Sequence, residues 1–212
     1  MHRTIDPAAY ETAMRQEVVP ECLHTAICAM DRNAIVQYVG VIEQSYGRDN
    51  AFLVRRFEPA PRDERLPIWR EPNVGRVHEV LQVWVRTRYT RYRKAFRALR
   101  PDEAIEHRVL HHIMNRRYAA KCGFEYLRLI PVTREVNSSS AFSEDWGVDL
   151  EKWVPNYFEK HKARGYRVRY AGTDQIVVMM GILPGGGVME TARLAQDLFD
   201  VPGLRKAQNS FD

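Results

Sequence analysis

Residues 105–117 read IEHRVLHHIMNRR, which places three histidines and three arginines within thirteen positions. Imidazoles can ligate a divalent metal, exchange protons near neutral pH, or hydrogen-bond to phosphate and sugar. On a helix spanning Ile105 to Cys122, His107, His111 and Asn115 follow one another at i, i+4 steps on one side, while His112 stands beside Arg108 and Arg116 on the opposite flank. Two imidazoles one turn apart can converge on a single ion, which makes His107 and His111 the candidate metal ligands. A complete site would need a third ligand from elsewhere, and the segment is not H-E-x-x-H, because Glu106 precedes the first histidine. Two readings stand beside the metal: the histidines act as neutral partners of phosphate or sugar, or they are ordinary helix positions.

Farther along, TREVNSSS (residues 133–140) falls between an expected strand and a helix expected from Ser143. Arg134, Asn137, Ser138, Ser139 and Ser140 could there converge on an anion, with simple helix capping by Asn137 or a serine as the alternative. Asp145 and Asp149, at i, i+4 with Glu144 close by, have the oxygen chemistry that Mg²⁺ and phosphodiester hydrolysis require. A divalent-metal nuclease would therefore draw its catalytic groups from His107, His111, His112, Asn137, Asp145 and Asp149. No complete catalytic signature accompanies them: LPGGGV lacks the Lys and Ser/Thr of a phosphate-binding loop, and no G-x-S-x-G is present.

Charge gives a broader signal. The whole chain of 212 residues carries +5. Between Arg86 and Arg134, however, thirteen Arg and Lys face four Asp and Glu, so this segment holds +9 and the remainder −4. A local excess of one sign is what a polyanion-binding face needs. Arg86, Arg91, Arg93, Lys94, Arg97, Arg116, Arg117 and Arg134 are the expected phosphate contacts. Within RYTRYRKAFRALR, Tyr89, Tyr92, Phe96 and Leu99 recur at helical spacing; core packing is the favoured role for these residues, over stacking against bases.

These residues must be held by elements with their own signals. RVHEVLQVWVR alternates as a strand, and the basic helix follows it. Pro101 ends that helix, and Gly123 is placed to stop the next. FEYLRLIPV reads as a second strand. Beyond it come the helix from Ser143, another near 155–164, the strand YRVRYA, a helix from about Thr173, and a last one near 188–199. Asp6 and Pro7 open a helical reading of the first fifty residues, and the four prolines of residues 55–76 mark a long loop or arm. The expected organisation is a helical N-terminal extension (1–50), a proline-rich loop or arm (51–76), and a core domain (77–212). The fold class is α/β or α+β, a mixed sheet with flanking helices.

Three cysteines without a C-x-x-C pair favour a reducing, cytoplasmic setting. No stretch has the length and apolarity of a membrane span, and the N-terminal residues lack the apolar run of a signal peptide. The leading expectation is a nucleic-acid-binding protein, on DNA or RNA, that requires no cofactor. The alternatives are a metal-dependent nuclease on the same surface, and an assembly protein whose proline-rich arm engages further copies of the chain.

Overall fold

The computed structural model describes residues 25–57, 79–139 and 155–171, together with 175, 178, 179 and 181. Seven strands form one sheet: β1 (Ala26–Ala29), β2 (Gly40–Tyr46), β3 (Ala51–Arg56), β4 (Leu81–Arg86), β5 (Val109–His112), β6 (Tyr126–Val132) and β7 (Val168–Tyr170). Their order is β2-β3-β4-β6-β1-β7, with β5 also paired to β6, and every pairing is antiparallel. Among the described residues, the helices α1 (Arg32–Tyr38), α2 (Tyr92–Leu99), α3 (Arg116–Lys121), α4 (Arg134–Ser139) and α5 (Tyr157–Ala163) flank it. The fold is α+β.

Both faces of the sheet are covered. On one, Ala34, Ile35 and Val39 from α1 and its end pack with Phe52, Val54, Trp84 and Tyr126. On the other, Ala95, Phe96 and Leu99 of α2 pack with Val83, Val85, Leu110 and Leu129. Strand β6 is buried along its whole length, as befits a strand with neighbours on both edges and helices on both faces. It carries Arg128, fully buried, whose guanidinium reaches Thr25 Oγ1 at 2.8 Å and Glu79 at 3.5 Å. Glu79 in turn accepts from Arg100 at 3.0 Å, so the end of α2 is tied to the centre of the sheet by alternating charges.

The expectation of helix throughout residues 1–50 is corrected from residue 26 onward, where β1, α1 and β2 stand, and residues 51–56 of the expected arm are β3. Residues 1–24, and residues 58–76 of the arm, lie outside the described residues. Two local features make the β2–β3 hairpin. Gly47, Arg48 and Asp49 all take positive φ, the turn conformation that Gly and Asp tolerate best. The Asp49 carbonyl is held by Arg86 Nε at 3.1 Å and by the Tyr126 hydroxyl at 3.0 Å. At the other end, Gly40 lies so close to β3 that a Cβ would fall on the Arg55 carbonyl.

Candidate functional site

Strand β5 and helix α3 replace the single helix expected from Ile105 to Cys122. Val109, Leu110, His111 and His112 pair with Val132, Pro131, Ile130 and Leu129 across β5–β6. Strand β4 pairs β6 only over Tyr126–Leu129 and β1 only at Tyr126 and Leu127, so the C-terminal half of β6 takes its partner from β5; that tertiary pairing overrides the local helical spacing. Only after Asn115 does the chain turn helical, with the Asn115 side chain accepting from the N–H groups of Arg117 (2.8 Å) and Tyr118 (3.2 Å). Gly123, φ 89°, stops α3 as its position predicts.

The helical spacing that would have brought His107 and His111 to one ion is therefore absent. His107 lies exposed in a turn before β5, whereas His111 is buried in the strand. Among the described residues, no group of three His, Cys, Asp or Glu is placed to hold a metal ion. Asp145, Asp149 and Ser140 lie outside the described residues. The anion loop expected at 133–140 is helix α4 over residues 134–139, opened by Thr133, whose hydroxyl accepts from the N–H of Val136 at 3.3 Å. The N–H of Asn137 is spent inside that helix on the Thr133 carbonyl, and Ser138 is exposed.

What the structure brings together is a cleft of about 1110 Å³ along the outer edge of β5. Its walls come from Thr87 and Arg88 after β4, Tyr92 of α2, the four residues of β5, Met114, Asn115, the start of α3, and Asn137 of α4. The cross-strand register puts His111 with Ile130 and His112 with Leu129, on opposite faces of the sheet. His111 accordingly meets α4, with Nδ1 3.0 Å from Asn137 Oδ1. His112 meets α2, edge-on to Tyr92 with ring centroids 4.6 Å apart.

Both imidazoles are neutral at pH 7. Burial holds His111 below the ordinary imidazole range, against the opposite pull of its bond to Asn137. Burial also pushes His112 down, to about 3, with the charge of Arg116 and the neighbouring His111 acting in the same direction. With the amide oxygen of Asn137 as partner, His111 donates from Nδ1. His112 Nε2 is buried and has no hydrogen-bond partner among the described residues.

The expected phosphate contacts divide into two groups. Three are engaged internally. Arg86 bonds Asp49 and Tyr126, and Arg93 donates to the Ile105 and Arg108 carbonyls. Arg116 donates to the Thr87 carbonyl at 2.7 Å, with its guanidinium 5.9 Å from the Tyr92 ring centre. Arg91, Lys94, Arg97, Arg117 and Arg134 are exposed. Arg88, not among the phosphate contacts expected from the sequence, is exposed and borders the cleft. Its signal was present in the sequence: Arg88, Arg91, Lys94 and Arg97 recur every three residues, and in the structure Lys94 and Arg97 are i, i+3 neighbours on α2, Arg91 precedes its first turn and Arg88 borders the cleft, a run of exposed cations from the helix to the cleft. Helix α2 has no acid, and among the described residues none lines the cleft. Tyr89 and Tyr92 pack against the core beneath this stripe, as their spacing predicts.

Comparisons of the chain with protein-family models, with curated proteins and with solved structures find no match. No helix among the described residues is long and apolar enough to cross a membrane.

Proposed function

We propose that the protein binds nucleic acid through the stripe Arg88, Arg91, Lys94 and Arg97, with Arg117 across the mouth of the cleft. The observation that carries this reading is that these five cations are exposed, while among the described residues no acid stands on α2 or in the cleft wall. A solvated structural surface would mix charges of both sign; a phosphate-binding one concentrates cations that have no internal work to do. Arg86, Arg93 and Arg116 are given a supporting part, since their guanidiniums already hold backbone carbonyls.

The test is the salt dependence of binding to a mixed-sequence polynucleotide. Each phosphate contact should contribute a slope of about −0.7 to −0.9 in log K against log salt. Lys94→Ala with Arg97→Ala should weaken binding to all sequences alike and flatten the slope by up to about two units. A flat salt response, or no binding at low salt, removes this reading.

A further inference from the structure

We infer that the cleft beside β5 takes one unpaired nucleotide, its base and sugar against His112 and Asn137 and its phosphate at the arginine rim, while the flanking phosphates lie on the α2 stripe. The inference rests on the nucleic-acid reading and adds to it the form of the strand.

Three observations carry it. The first is polarity by depth. Arg88 and Arg117 are exposed at the mouth, whereas His111 is buried and His112 nearly so. A ligand that is anionic at one end and neutral and hydrogen-bonding at the other matches that gradient, as a nucleotide does. The second is the buried Nε2 of His112, which has no partner among the described residues. A buried polar atom of this kind costs stability unless something supplies its hydrogen bond, and the exchangeable groups of a base or a sugar hydroxyl can do so. Asn115 and Asn137 also border the cleft. The third is shape. The cleft, about 1110 Å³, is walled by β5, α3, Asn137 and Tyr92. That is slightly above the roughly 300–1,000 Å³ usual for pockets that take small ligands. A base within a duplex is stacked on both faces and paired along its edge, so it cannot enter such a recess; an unpaired one can. The neutral walls then suit the base, and the stripe outside suits the backbone.

The test compares a single-stranded oligonucleotide with a blunt duplex of the same sequence and total phosphate, at one salt concentration, by fluorescence anisotropy. The wild type should favour the single strand by about tenfold or more, the gain expected from accommodating an unstacked base. Asn137→Ala combined with Arg117→Ala should bring single-strand affinity down to the duplex value. Lys94→Ala with Arg97→Ala should instead weaken both substrates and keep their ratio. Arg117→Ala alone, at an exposed position, should already reduce the ratio, which keeps the test valid if Asn137→Ala disturbs α4. Equal binding of the two forms, or a ratio unchanged in both cleft variants, overturns the inference while salt-dependent binding leaves the stripe in place. Absence of binding to either form at low salt overturns both.

Discussion

His111 and His112 are neighbours in the chain and lie on opposite faces of β5, yet both border one cleft. This is possible because, among the described residues, β5 pairs only with β6 and leaves its outer edge open. Side chains on either face of an edge strand can reach around it, so a strand places two adjacent imidazoles in two environments. One is fixed by an amide of α4, the other sits beneath an arginine and a tyrosine.

Both imidazoles being held neutral has a consequence for stability in acid. The folded protein keeps His112 unprotonated down to about pH 3, whereas the unfolded chain protonates it near 6.5. Between those values the unfolded state binds more protons, so stability falls as pH falls, by up to about 1.4 kcal/mol per pH unit for one such group. The stabilisation is complete above 6.5. Denaturant unfolding at a series of pH values should show His112→Phe gaining on the wild type as the pH drops from 6.5 towards 4. A difference between the two proteins that does not change over that range would contradict the burial of His112 as a neutral group.

Strands β4 and β6 and the basic helix were legible from local pattern, whereas β1 and β2 were expected as helix and β3 as part of the arm. Alternation marked Leu81–Arg86, aromatic and branched residues marked Tyr126–Val132, and steps of three and four marked the helix through Phe96 and Leu99. Residues 105–122 were not legible, for a physical reason. Ile105, Val109 and Ile113 satisfy a helical stripe, whereas VLHHIM (109–114) has no apolar/polar alternation, so nothing inside the segment signals a strand. The decision belonged to the open hydrogen-bonding edge of β6, which lies outside the segment and only tertiary pairing reveals. The same holds for the cleft, whose walls span Thr87 to Asn137.

The β2–β3 turn stores strain that can be released. Arg48 takes φ 53° at an exposed tip, a conformation that side chains bearing a Cβ adopt at a cost. Arg48→Gly should raise the unfolding free energy by up to about 1 kcal/mol, partly offset by the greater freedom of glycine in the unfolded chain. A chemical melt in which this variant is clearly less stable than the wild type would show that the tip is held by contacts of the arginine itself.

Buried charge makes Glu79 more consequential than its place in front of β4 suggests. It shares its carboxylate between Arg100, at 3.0 Å, and the fully buried Arg128, at 3.5 Å. Glu79→Ala takes that carboxylate from a guanidinium with no access to water, and should cost about 3–5 kcal/mol. Arg128→Met, which removes the buried cation and leaves Glu79 with Arg100, should cost less. If the two variants unfold at the same denaturant concentration as the wild type, the alternating charges contribute nothing to holding α2 on the sheet.

The sharpest electrostatic prediction concerns Arg116 and His112. Desolvation is the larger cause of the low pKa of His112, and the charge of Arg116 adds to it. Arg116→Gln removes the charge and keeps a side chain able to donate to the Thr87 carbonyl, so the imidazole should titrate higher than about 3 but still below 6.5, because burial remains. The titration of the His112 ring protons by nuclear magnetic resonance reads this directly. A phosphate seated against the same arginine acts with the same sign, since an anion compensates the cation that opposes protonation. Addition of a single-stranded oligonucleotide to the wild type should therefore raise the pKa of His112 as well, and in the Arg116→Gln protein the remaining rise should be smaller if phosphate sits at Arg116. A pKa that falls on Arg116→Gln, or that an oligonucleotide bound at low salt leaves unmoved, would separate His112 from the electrostatics of the rim and place the bound strand away from the cleft.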